Sequence, residues 1–398
     1  YTEKLAIAGE NVIQSDSQYY QALGSYLPKI SLNASKPFPD NNPPSGATGQ
    51  IPSKAFASIY GRQAIITGLN EWAGISLAKN FKAIARNALV LSAQQQLLTV
   101  AQKYYLVCQL QSTLDTDREI VDLYRKMRIE LVRRVTVGKN RQSDVLRTDT
   151  QISRLEAQVT SISSQLDTAV SDLAATIGIT PKMTVSGAID LPSPSYKPDD
   201  VRMVVSRRSE VIIAKQNIDV ADMNLKAAWG GHLPTVYIEG NYRLYNENKI
   251  PGDKFYTAIT ASIPIFEGGI TTAKVSEAQS VKRQADLTLS QTLRTVEEDV
   301  NTSYDIWRSS VSQAEAFKNA LASAERTYVV TANDYRLNLV TIIDVITALT
   351  DLQQARNDYK TANLILGFDR IRLGVATNEF PGNGNSTLKN APLTQMGK

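Results

Sequence analysis

Residues 233–269 read LPTVYIEGNYRLYNENKIPGDKFYTAITASIPIFEGG, and the fold turns on how this stretch divides. Val236, Ile238, Gly240, Tyr242 and Leu244 alternate with Thr235, Tyr237, Glu239, Asn241 and Arg243. Phe255, Thr257, Ile259, Ala261 and Ile263 alternate with Tyr256, Ala258, Thr260 and Ser262. Successive side chains of a strand point to opposite faces. A period of two therefore predicts two strands, each with one apolar face and one polar or small face. Asn246 to Asp253, with Pro251 and Gly252, is the turn between them. Gly268-Gly269 suits a tight passage from strand to helix, because glycine accepts positive φ at little cost.

Outward from this hairpin the chain changes character. No glycine or proline occurs from Ile75 to Val137, from Lys139 to Ile177 or from Ile270 to Leu366. Both residues break helices, so their absence predicts long ones. At ~1.5 Å per residue the last stretch would run about 145 Å unbroken, and a reversal inside it is expected. Val145, Ile152, Leu155, Val159, Ile162, Leu166, Val170 and Leu173 step by three, four or seven. Val300, Tyr304, Trp307, Val311, Ala314, Phe317, Leu321, Ala324 and Tyr328 step by three or four. Such stripes are the packing seams of long helices and imply no cofactor.

The same order of elements occurs earlier. Ile30, Leu32 and Ala34 alternate with Lys29, Ser31 and Asn33; a loop rich in Pro, Gly and Asn follows from Pro37 to Gly49, then a segment from about Ala55 to Leu69. Leu27-Pro28-Lys29-Ile30 matches Leu233-Pro234-Thr235-Val236 at an offset of 206, and Val100, Tyr104 and Ser112 match Val300, Tyr304 and Ser312 at 200. Asp144-Val145-Leu146 matches Asp344-Val345-Ile346 at the same 200. A period this long is a duplicated hairpin unit rather than a solenoid repeat. The expected organisation is a first repeat over 1–178 (helix, two strands, long helical hairpin), a proline-rich linker at 179–200, a second repeat over 201–374 and a polar tail at 375–398.

Four strands cannot close around a lumen, and an open sheet with an apolar face invites pairing at its edges. Three copies would supply ~12 strands, within the range of membrane barrels, whose strands alternate apolar-out and polar-in. The competing reading is a soluble β-sandwich joined to a coiled coil.

Composition narrows the function classes. The only cysteine is Cys108 and the only histidine His232, which excludes a disulfide framework and a zinc site of ordinary ligand type. Any Ser/His/Asp or Cys/His mechanism would run through that one histidine. A net charge of +4 is too small for a genome-coating protein. There is no apolar run of 18 residues, so no transmembrane helix is expected. No basic and apolar leader precedes Tyr1, so the chain reads as leaderless or already processed. Scarcity of cysteine fits an oxidising compartment such as the periplasm.

The chain resembles the TolC-like outer-membrane efflux and secretion channels. Ile263-Pro264-Ile265-Phe266-Glu267-Gly268-Gly269 is similar to that family's junction between its last strand and a long helix. Leu27-Pro28 and Leu233-Pro234 resemble its two strand starts, and Tyr335 with Thr341-Ile342-Ile343-Asp344-Val345-Ile346 resembles its second helical reversal. Gln354-Ala355-Arg356-Asn357-Asp358-Tyr359 then resembles its descending helix. The resemblance implies a mainly α protein with a small β part: a long α-helical coiled-coil barrel plus a trimeric 12-strand transmembrane β-barrel, four strands per chain, internally duplicated. It implies a homotrimer in the Gram-negative outer membrane with a long periplasmic extension. Its partners would be outer-membrane lipid, a periplasmic adaptor (membrane fusion) protein and an inner-membrane pump of RND or ABC type. It implies a passive exit duct for efflux or type I secretion, with no catalytic residue, no cofactor and no nucleic-acid partner. An elongated periplasmic adaptor or scaffold, bridging partners through helical hairpins, is the alternative.

Three departures from that pattern stand out. The first strand-to-helix junction reads Glu71-Trp72-Ala73-Gly74, with one glycine where the second has two. The first reversal keeps Gly138 where the second has Asn338. The helix before Leu27 is shorter than its counterpart before Leu233, so the N-terminal segment reads as cut short.

The candidate functional residues lie at the reversals. Asp144 and Asp344 would give six carboxylates near one constriction in a trimer; carboxylate rings favour cations. Each equally suits the N-terminal cap of a descending helix. Tyr335 and Arg336, with Arg141 and Arg147, are candidates for hydrogen bonds or ion pairs that hold the tip shut; Val340 stands where the family often has a basic residue. Eight Lys/Arg against two acidic residues lie between Arg125 and Arg147, and two Arg against three acidic residues in the window 325–347. The first tip is thus basic, as a solvated face, for an acidic partner or for nucleic acid, though no aromatic stacking residues interleave there. Gly268, Gly269 and Gly74 are assigned to the strand–helix junctions, and Pro28 and Pro234 to the strand starts. Asn385-Ser386-Thr387 fits a glycosylation pattern in the tail, where it carries no information.

Overall fold

The computed structural model describes residues 3–36, 55–180, 191–246 and 254–380. The expected loop at Pro37–Gly49, the tip of the 246–253 turn, part of the 179–200 linker and Asn385-Ser386-Thr387 lie outside these residues. The elements run α1 (Glu3–Ser25), β1 (Lys29–Ser35), β2 (Phe56–Thr67), α2 (Asn70–Thr136) and α3 (Gln142–Ile177). After a short 3-10 turn at Pro198–Asp200 come α4 (Val201–Arg207), α5 (Ser209–Gly230), β3 (Thr235–Asn246), β4 (Phe255–Ser262), α6 (Ile270–Arg336) and α7 (Ile342–Ala376). The predicted reversal in the long glycine-free stretch falls between α6 and α7. Among the described residues no helix is long and apolar enough to cross a membrane.

Two compact units form, and each draws on both halves of the sequence. One comprises Tyr1–Ile7, Val90–Arg208 and Leu293–Lys398; the other comprises Ala8–Leu89 and Ser209–Thr292.

The first unit is helical. Ile120, Val121 and Tyr124 of α2, Ile152 and Leu155 of α3, and Leu349 and Leu352 of α7 form one core cluster, with Leu321, Ala324 and Tyr328 of α6 packed against it. A second cluster joins Leu131, Val145, Tyr335, Ile342 and Val345 close to the reversals. Every residue of the two predicted seams is buried or half-buried except Val311, at 40 % exposure. The clusters also enclose a carboxylate. Asp117 on α2, fully buried, accepts hydrogen bonds from Gln158 of α3 at 2.9 Å and from Gln353 and Asn357 of α7 at 2.7 and 3.4 Å. A buried charge without such donors would be strongly unfavourable. The end of α7 is closed by buried Arg208, whose guanidinium donates to the carbonyls of Val375 and Ala376 at 3.1 and 2.9 Å, leaving fewer terminal acceptors unpaired.

The second unit carries a four-stranded antiparallel sheet in the order β1-β2-β3-β4, so β1 and β4 are its edges. Its register places Ser31 beside Tyr60, Tyr60 beside Asn241 and Asn241 beside Tyr256 on one face. The other face takes Ile30, Leu32, Ile59, Ile238, Tyr242, Phe255 and Ile259. In the same unit, Asp16 of α1 pairs with Lys82 of α2 at 2.9 Å, and Asp222 of α5 with Lys282 of α6 at 2.6 Å. Pro28 and Pro234 sit immediately before β1 and β3, where a missing N–H costs no ladder bond.

Candidate functional site

The two helical reversals in the first unit are built alike. At the end of α2, Gly138 takes a left-handed φ of 74°, its N–H donates to Val135 O at 3.0 Å, and Lys139 N–H reaches back to Arg134 O at 2.8 Å. At the end of α6, Asn338 has φ 62°, donating to Tyr335 O at 3.0 Å, and Leu339 N–H reaches Asp334 O at 2.9 Å. Asparagine is the non-glycine residue that best tolerates this conformation, which explains the exchange of Gly138 for Asn338.

Asp144 and Asp344 both stand at the third position of their helices. Asp144 Oδ2 accepts from the Arg141 backbone N–H at 3.3 Å and from Asn140 at 3.1 Å. Asp344 Oδ2 accepts from the Thr341 N–H at 2.8 Å and from its hydroxyl at 2.6 Å. The cap reading thus describes the contacts of both carboxylates within one chain. The Thr341 hydroxyl, followed by the Thr341 N–H, holds the Asp344 carboxyl below the usual carboxylate range.

A basic side chain does join the two reversals, and it is Arg134. Its guanidinium lies 4.6 Å from the centre of the Tyr335 ring and donates to Asn338 Oδ1 at 3.0 Å, Arg336 O at 3.3 Å and Tyr335 O at 3.4 Å. It therefore neutralises the negative end of α6 while stacking on an aromatic ring. The Tyr335 hydroxyl donates to Asn140 Oδ1 at 3.1 Å. Burial pushes the Tyr335 phenol up, against the opposing effect of the Arg134 charge. One step back from the tip, the Tyr124 hydroxyl lies 3.1 Å from Thr350 Oγ1. Of the four predicted clasp residues, Tyr335 makes a side-chain contact across the reversals. Arg141 contributes its backbone, and Arg336 its carbonyl. Arg147 and Arg336 side chains have no hydrogen bond or ion pair among the described residues.

The basic excess of the first tip is partly met from beyond the sequence window that defined it. Arg125 bonds Glu156 at 2.7 Å, and Arg128 bonds Asp149, both acids lying further along α3. These pairs are exposed and contribute little to stability.

The strand–helix junctions need one correction. Gly268 and Gly269 have φ of 62° and 83°, as a tight exit from β4 requires. Gly74, however, lies a turn inside α2 with ordinary helical backbone, so it is not the first junction. Gly68 and Leu69 make that turn, with φ of 62° and 68°. Gly68 also meets Gly230 closely: a Cβ on Gly230 would fall 1.5 Å from Gly68 O, so neither position has room for a side chain. The signal was present, since Gly68 precedes Gly268 by the same 200 residues as the other matches.

Long paired helices ending in capped reversals and a four-stranded sheet with one polar face are a layout shared with known proteins. Residues 201–378 match the outer membrane efflux protein family. The outer membrane protein TolC of Salmonella enteritidis is 23% identical over 378 residues, covering 89% of this chain and 75% of that protein. The crystal structure of the outer membrane protein VceC from Vibrio cholerae superposes with a TM-score of 0.81 at 16% identity, over 95% of this chain and 93% of that one. The open-state MtrE outer membrane channel of Neisseria gonorrhoeae gives 0.80 at 15% identity, over 97% and 88%. Over nearly its whole length the chain shares the fold of these solved channels, and its second half carries the match to the outer membrane efflux protein family.

Proposed function

We propose that three copies of this chain form a passive exit duct. Their strands close one 12-strand barrel in the outer membrane, and their helices line a tunnel that tapers at the two reversals. The observation that carries this is the sheet: its two faces are chemically segregated, and the outer edges of β1 and β4 have no strand partner among the described residues. Bilayer hydrocarbon tolerates strands only where every backbone group is satisfied, which here requires neighbouring copies.

The two repeats, 1–178 and 201–374, joined by 179–200 and followed by the 375–398 tail, are read as one duplicated unit. The matched caps Asp144 and Asp344 support this, as do the ion pairs Asp16–Lys82 and Asp222–Lys282, whose members are separated by the same 206 and 200 residues as the sequence matches. The duct itself carries no reaction: it offers a wet path, and energy comes from a pump reached through an adaptor at the reversals. Asp144 and Asp344 line its narrow end, and Arg134, Asn140 and Tyr335 hold the paired hairpins closed, with Arg336, Arg141 and Arg147 as flanking charges.

Membrane fractionation tests the duct. The expected result is a heat-modifiable trimer in the outer membrane; release as a soluble periplasmic protein would instead support the adaptor reading. Single-channel recording of Asp344→Ala tests the aperture: unchanged conductance, cation block and selectivity would remove Asp344 from it.

A further inference from the structure

All four charged residues in the strands, Lys29, Arg62, Glu239 and Arg243, have the parity of the polar face. Three are basic and one is acidic. Lys29 is the cross-strand partner of Arg62, Arg62 of Glu239, and Glu239 of Ala258, so two cations and one anion share a single row across β1–β4. Arg62 is committed to Glu239 at 3.2 Å and lies 4.0 Å from the centre of the Tyr237 ring. Lys29 is exposed, and no acid pairs with it among the described residues. Four residues further along β2, about 13 Å at ~3.3 Å per residue, Ser58 stands beside Arg243 on the same face. The row between carries Ser31, Tyr60, Asn241 and Tyr256, none of them an acidic or basic residue.

We infer that this face is an anion-favouring filter in the strand region of the duct, with Lys29 as its principal charge and Glu239 as the group that moderates it. The inference rests on the barrel reading, which turns the polar face toward the lumen. Each copy then contributes an excess of positive charge to the lumen wall, and fixed charge on a pore wall selects mobile ions of opposite sign. One charge felt through water at ~10 Å changes local ion occupancy by a factor of about two, and more where low-dielectric walls focus the field. Solutes carrying carboxylate, phosphate or sulfonate groups would pass this segment more readily than cations of similar size.

The test is the chloride-to-potassium permeability ratio of the purified full-length trimer in planar bilayers. It uses a KCl gradient at low ionic strength, where screening is weakest. Two variants have opposite expected signs. Lys29→Glu should lower the ratio by about twofold or more, and Glu239→Gln, which frees Arg62, should raise it. Trimer content on unheated gels shows that each variant assembles. A parent pore whose ratio is unmoved by both variants, or moved in one direction by both, overturns the filter and leaves the duct standing. A parent chain that forms trimers but no pore overturns the duct and the filter together.

Discussion

Asp344 and Asp369 sit on the same helix and respond to protonation in opposite directions. The Asp344 carboxylate is stabilised by the Thr341 hydroxyl and N–H, which lowers its pKa. Its contribution to stability is present above the ordinary carboxylate value and is lost as pH falls through the lowered one. Asp344→Asn should therefore lower the thermal midpoint at neutral pH and flatten its decline on acidification. Asp369 is buried, with the Ser310 hydroxyl 2.5 Å away, and burial raises its pKa. Its folded form prefers the proton, so it costs stability as pH rises through the ordinary carboxylate value toward the raised one. Asp369→Asn should raise the midpoint at neutral pH, and the advantage should vanish at acid pH where both side chains are neutral. The capping role of Asp344 is legible from Thr-x-x-Asp. The burial of Asp369 is not, because an aspartate near the end of an amphipathic helix reads as solvated until its neighbours are placed.

At the scale of elements, the seams of α3 and α6 follow from spacing alone. Leu349 of α7 shows what spacing leaves undecided: it is fully buried between α2 and α3 residues that lie far from it in sequence. Leu349→Ala should cost about 2–5 kcal/mol, the range for emptying a packed leucine site. Val311→Ala, on the predicted α6 seam but 40 % exposed, should change stability by less than about 0.5 kcal/mol. Chemical denaturation of the two variants side by side checks both. The basic candidates near the reversals in sequence are Arg336, Arg141 and Arg147, whereas the guanidinium that reaches across them is that of Arg134. Arg134 brings one guanidinium within reach of the Tyr335 ring and the last carbonyls of α6, a juxtaposition that spacing along α2 does not reveal. The asymmetry in charge between the tips likewise shrinks once α3 returns Asp149 and Glu156 to Arg128 and Arg125.

At the scale of the whole molecule, what matters is which face of the sheet meets lipid. Ile259 and Thr260 are neighbours in β4 with opposite orientations, and Ile259 is 72 % exposed in the single chain. In the trimer proposed above, Ile259→Arg places a charge in hydrocarbon at a cost of about 2–4 kcal/mol per copy near the bilayer midplane. It should reduce outer-membrane trimers sharply. Thr260→Arg, on the polar face, should assemble normally. Equal loss in both, read as the trimer fraction of outer-membrane extracts, would place neither face toward lipid.

The sequence by itself determined the elements and their order, because those depend on local periodicity and on where glycine and proline interrupt it: two-residue alternation at 235–263, a seam at 145–173, reversals near 138 and 338. Tertiary structure decided everything that needs two distant segments in contact. Gly68 yields to Gly230, Arg134 finds Tyr335, and Asp117 gathers amides from α3 and α7. The physical reason is that a periodic pattern reports which face of an element is apolar, while the partner of a polar group on that face is fixed only when packing brings a second element alongside.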